Sequence, residues 1–177
     1  MSNPKFAPEL TFDQWQKLPI KERSLRRVAY YADKLHVQED FPHRNRGEII
    51  DQWAKSVGAT LGDPWCVIAQ MANLIESGAD PSKLPSNKAS THALYDWAKA
   101  TGRLTKTPTR GDLFVILFTS TTGHAGAFVK ENYGGAQFSS IEGNTNDEGS
   151  REGYEMARRN RSMRTPKLYF INMDNLS

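Results

Sequence analysis

The chain has 177 residues, of which 38% are hydrophobic and 24% charged, with 8 Phe, 6 Tyr and 4 Trp. That is the size of one compact domain with enough apolar mass for a core, which excludes a repeat array, a multidomain machine and disorder over most of the length. A single cysteine, Cys66, excludes an intrachain disulfide and any two-cysteine metal site, and the formal net charge is only +3.

The opening MSNPKFAPEL lacks the basic and apolar regions of a secretory signal, so a chain made soluble in the cytoplasm and not exported by that route is expected. A short helical run around residues 12–18 is separated by Pro19 from a second helix, in which Leu25, Val28, Ala29, Ala32 and Leu35 recur at helical spacing. Glu48–Val57 sets Ile49, Ile50, Trp53 and Val57 on one side and stops at Gly58. Beyond a turn-rich stretch over 58–64, Val67, Ile68, Met71, Leu74 and Ile75 mark a mostly buried helix that ends near Gly78. Ser90 or Thr91 caps a further helix with Leu94, Trp97 and Ala98 turned inward, closed by Gly102.

Past Gly111 the pattern changes to short apolar runs over 112–118, 125–129 and 137–142, which read as antiparallel strands, with 154–156 and 168–171 as the final strands. Helices first and strands second predict an α+β fold, N-terminal helices packed on a C-terminal antiparallel β-sheet. The longest apolar run, Leu113–Phe118, has six residues, so no transmembrane segment is expected. Residues 151–167 hold six cations (Arg151, Arg158, Arg159, Arg161, Arg164, Lys167) against two anions (Glu152, Glu155). Such a face could meet nucleic acid, an anionic membrane or an anionic cell wall. Nothing in the stretch forms a nucleic-acid recognition motif, so no nucleic-acid partner is expected.

Cys66 follows the tight turn Gly62-Asp63-Pro64-Trp65 and opens a helical pattern, where free backbone N–H groups and the helix dipole favour a thiolate. A thiolate nucleophile needs a base, and four histidines are available: His36, His43, His92 and His124. His36 closes an amphipathic helix, His92 lies in a helical first turn, and His43 sits in a polar stretch. His124 alone opens a strand directly after a turn, between small neighbours that leave its ring accessible to a cleft. In Ile141-Glu142-Gly143-Asn144 the strand period of two puts Glu142 and Asn144 on one face, and either can hold an imidazole. Zinc chemistry is not expected, because the histidines are 7, 49 and 32 residues apart, with no pair at helical spacing.

These pieces together resemble the CHAP family, cysteine- and histidine-dependent amidohydrolases and peptidases with a papain-like fold that cut peptidoglycan. The resemblance is carried, in family order, by Asn45-Arg46-Gly47, Gly62-Asp63-Pro64-Trp65-Cys66, Leu94-Tyr95-Asp96-Trp97-Ala98, Arg110-Gly111-Asp112-Leu113, Gly123-His124-Ala125-Gly126, Glu142-Gly143-Asn144-Thr145 and Arg159-Asn160-Arg161. It implies Cys66 as nucleophile, His124 as general base and Glu142 as orienting residue, with Asn144 as a fourth member or the alternative orienter. Trp65, directly before the nucleophile, is expected to touch substrate. The aspartate cluster that binds calcium in some relatives is missing, so no metal and no cofactor are expected.

On this resemblance residues 1–40 are a helical N-terminal extension and residues 41–177 a CHAP-like catalytic domain. The expected function is hydrolysis of a peptidoglycan amide bond, as endopeptidase or N-acetylmuramoyl-L-alanine amidase, outside the cytoplasm at the cell wall. The expected setting is a phage endolysin; the alternatives are a virion lysin, an antibacterial effector with an immunity protein as partner, and a silent wall-binding module.

Overall fold

The structure, a computed structural model, describes residues 4–145 and 153–177. Arg151 and Glu152 of the basic stretch lie outside the described residues. Five α-helices come first: α1 (Phe12–Lys17), α2 (Ile20–Asp33), α3 (Glu48–Val57), α4 (Cys66–Glu76) and α5 (Thr91–Ala100). Six strands follow: β1 (Leu104–Thr105), β2 (Leu113–Leu117), β3 (Gly123–Asn132), β4 (Gln137–Thr145), β5 (Glu155–Ser162) and β6 (Leu168–Ile171). They form one antiparallel sheet in the order β1-β6-β2-β3-β4-β5, so the fold is α+β.

Local chemistry sets the boundaries. Thr11 and Gln14 form a reciprocal capping box at the start of α1, each side chain accepting the other's backbone N–H. Pro19 is the residue before α2, Ser90 Oγ accepts the Ala93 N–H at the start of α5, and α3 ends on Gly58 in the left-handed conformation. α4 is apolar nearly all round and is buried from Cys66 to Leu74, including the polar Gln70 and Asn73. Their amide nitrogens donate to the Ile141 and Ala69 carbonyls, at 3.3 and 2.8 Å, while Gln70 Oε1 and Asn73 Oδ1 are buried without a partner.

Strand alternation then sorts the sheet into two faces. One face, with Leu113, Val115, Ala127, Ile141 and Ile171, joins Leu25 and Val28 of α2, Ile50 and Trp53 of α3, and Ile68 and Met71 of α4 in a single core. The other face carries a separate cluster of Phe114, Ile116, Phe128, Phe138 and Phe170, with ring centroids 5.2 to 5.8 Å apart. Lys21 of α2 reaches across the core edge to Asp112 and Asp174, at 3.0 and 2.9 Å. Asp112 is fully buried and also accepts the Thr109 and Met173 backbone N–H groups.

β5 runs well beyond the predicted 154–156, through the arginine-rich stretch. Its register explains why: Arg159 and Arg161 lie opposite Ser140 and Phe138, on the inner Phe face, while Arg158 lies opposite Ile141 on the helix face. Arg158 pairs there with Asp33 of α2, at 2.6 and 2.8 Å. Arg158, Arg159 and Arg161 are therefore divided between two faces of a sheet rather than spread as one solvated patch.

Candidate active site

Cys66 is the first residue of α4, and the leading N–H groups of a helix have no intrahelical partners. α4 packs against β3 and β4, which bring in the other two groups. His124 is the second residue of β3, opposite Ile116 of β2, and Glu142 lies near the end of β4. All three side chains are buried, with Cys66 4%, His124 1% and Glu142 0% exposed.

His124 Nε2 lies 2.7 Å from Glu142 Oε2. This commits one ring nitrogen; Nδ1 is buried and has no hydrogen-bond partner, which leaves it available to the neighbouring Cys66 thiol. Glu142 is held on every side: Ser140 Oγ donates to Oε1 at 2.5 Å, and Arg161 clamps both oxygens, Nε to Oε1 at 2.6 Å and Nη2 to Oε2 at 2.5 Å. Gly126 makes room for this arrangement, because a Cβ there would stand 2.7 Å from Glu142 Cγ.

The electrostatics follow from these contacts. Burial alone would push the His124 pKa down, but hydrogen bonding and negative charge from Cys66 and Glu142 outweigh it and raise the imidazole to about 9. Burial would likewise raise the Glu142 carboxyl, yet Arg161 and then His124 hold it down at about 2. The centre is thus a buried cation–anion relay in which His124 is protonated at neutral pH.

Asn144 does not hold the imidazole. A bulge between Glu142 and Thr145 breaks the period of two, and Asn144 takes a positive φ of 55°. Its side chain instead lines a cavity of about 400 Å³ that also reaches Cys66, and its buried Oδ1 has no hydrogen-bond partner. His43, Asn45, Asp63 and Pro64 form one wall of that cavity; Asn87, Ser90, Thr91 and Thr121 to Gly123 contribute the other. His43 thus belongs to the cleft, although the sequence marks it only as part of a polar stretch.

Trp65, expected at the substrate, is fully buried instead. Its ring lies near Trp53, with centroids 6.2 Å apart, and its Nε1 donates to Glu39 at 3.1 Å. Among the other histidines, His92 contacts the Thr119 carbonyl at 3.0 Å and His36 stands in a left-handed turn.

The residue that sequence patterning left open is Arg161. In the sequence it is one cation of the basic stretch 151–167, and its role comes from its place in β5, on the same face as Glu142. Among the described residues, no group of three or more His, Cys, Asp or Glu side chains is placed to hold a metal ion, and no helix is long and apolar enough to cross a membrane. Comparison with protein-family models, curated proteins and solved structures found no match for this chain.

Proposed function

We propose that the protein is a cysteine-dependent amidohydrolase of papain-like, CHAP type that cuts an amide bond of bacterial peptidoglycan. The observation that supports this best is the order of groups: a helix-start cysteine, an imidazole with one nitrogen free for it, and a buried carboxylate on the other nitrogen. The adjoining cleft, about 400 Å³ in volume, offers hydrogen-bonding side chains such as Asn45, Asn87 and Asn144 beside apolar surface, which suits a peptide-like substrate.

In this reading Cys66 Sγ attacks the amide carbonyl as a thiolate while His124 holds the proton at Nδ1. Backbone N–H groups at the start of α4, that of Cys66 included, stabilise the oxyanion. The C–N bond then breaks, His124 gives its proton to the departing amine, and a thioester remains on Cys66. Water, deprotonated by the now neutral imidazole, attacks the thioester and releases the carboxylate, which restores thiolate and imidazolium. Glu142 fixes the ring orientation throughout, and Arg161 keeps Glu142 ionised and in place.

The test is digestion of purified peptidoglycan by the wild type and by Cys66→Ala, with mass spectrometry of the released fragments. New amino and carboxyl ends from the wild type alone support the proposal and identify the bond. Release that persists in Cys66→Ala, or none from walls of several peptide chemistries, overturns it. An endolysin and a delivered effector share this chemistry; binding of an immunity protein across the cleft would mark the effector.

A further inference from the structure

Glu39 lies outside every motif that suggested the site, in the segment between α2 and α3, yet it is only 4% exposed. Its Oε1 accepts the indole N–H of Trp65 at 3.1 Å. Its Oε2 accepts two successive backbone N–H groups, Arg44 at 2.7 Å and Asn45 at 2.9 Å. One buried carboxylate is thus shared between two structures, which are otherwise joined by the Asn45 Nδ2 bond to the Gly62 carbonyl at 3.1 Å.

The first is the loop that forms one wall of the cavity. Its residues His43 and Asn45 both line the cavity and both hold positive φ values, 65° and 53°, conformations that need external support in a non-glycine residue. The second is the N-cap residue of α4, directly before Cys66. Trp65 also sits under β4: a Cβ on Gly143 would stand 2.6 Å from its ring. Gly143 separates Glu142 from Asn144, so a rotation of the indole would displace the strand end that carries both.

We propose that Glu39 is a positioning residue that locks the cavity wall, the start of the nucleophile helix and the Glu142 strand end into one register through the Trp65 ring. The inference rests on the reading of Cys66 as the nucleophile. It depends on an acceptor with two faces, because one oxygen must serve the indole while the other serves the loop. An amide cannot do both: its NH₂ end would face a donor on one side or the other.

The experiment is a double-mutant cycle of Glu39→Gln and Trp65→Phe, read by kcat on purified peptidoglycan, by the rate at which iodoacetamide alkylates Cys66 in the native protein, and by melting temperature. Glu39→Gln is expected to lower kcat by roughly tenfold or more, as misplaced catalytic groups do, in protein that remains folded. It should also change the alkylation rate by a few-fold. Trp65→Phe removes the indole donor, so the amide can turn its oxygen to the loop, and the double variant should recover part of the loss in both readouts. Should Glu39→Gln fail to fold, Glu39→Asp, one methylene too short to span both sides, takes its place with the same expectation.

A folded Glu39 variant with wild-type kcat and alkylation overturns the proposal, and so do losses that simply add in the double variant. The alkylation arm needs no substrate. If Cys66→Ala still releases wall fragments, the functional reading falls while Glu39 is still decided by that arm.

Discussion

The charges at the centre make stability depend on pH in a predictable direction. His124 is raised from an ordinary 6.5 to about 9, so its contribution is complete below about pH 6.5 and is lost as pH rises through 9. Glu142 is lowered from 4.5 to about 2, so its contribution is complete above about pH 4.5 and is lost as pH falls through 2. Melting temperature should therefore decline between pH 6.5 and 9 in the wild type and much less in His124→Gln; a flat wild-type profile over that interval contradicts the assignment. Turnover should fall over the same alkaline limb, because the leaving amine needs the imidazolium proton. Glu142→Gln should lower kcat by roughly one to three orders of magnitude. Asn144→Ala should leave the alkaline limb where it is, since Asn144 does not touch the ring; if instead it abolishes turnover while Glu142→Gln is harmless, Asn144 is the orienter. Arg161→Met leaves the buried Glu142 carboxylate with His124 as its remaining cationic partner, a change expected to destabilise in chemical denaturation by less than the ~3–5 kcal/mol of a charge left wholly unpaired. Arg161→Lys, which keeps the charge but not the two-pronged geometry, should lose less.

At the level of elements, the close stacking of β4 on the α4 start makes Gly143 the most demanding position in the strand. Gly143→Ala would drive a methyl into the Trp65 ring, and overpacking of this kind costs about 1–3 kcal/mol, with turnover falling alongside. Melting temperature and wall hydrolysis measured on the same preparation check it. The same region shows what the sequence could and could not disclose. Periodicity exposed α3, α4 and α5 because their apolar faces are continuous, and 168–171 is found as a strand at its predicted limits. β5 was legible only in part, since Arg158, Arg159 and Arg161 carry no apolar signal; their alternation becomes informative once Asp33 and Glu142 are known to lie on opposite faces. Cys66, His124 and Glu142 stood out by local context, whereas the bulge that turns Asn144 away follows from strand pairing 10 or more residues distant. Glu39 left no local trace, as its three donors come from three separate residues of two segments.

Across the described residues α2, α3 and α4 bury with the sheet into one core, and Lys21 joins α2 to Asp112 at the entry to β2. Such continuity predicts a single cooperative transition, with far-ultraviolet circular dichroism and tryptophan fluorescence melting together. Lys21→Met should lower the midpoint without separating the two signals, because it strands the fully buried Asp112 carboxylate; two resolved transitions would show independent units instead. The all-round burial of α4 has its own consequence for durability. Cys66 to Leu74 are buried, so the hydrogen-bonded amides of α4 from Ala69 to Leu74 have no route to local fraying and should exchange with deuterium only when the entire protein opens. The nucleophile rides at the tip of that slowest-exchanging segment. Catalytic capacity should then outlast damage to peripheral loops and vanish on heating at the same temperature as the fold, rather than before it.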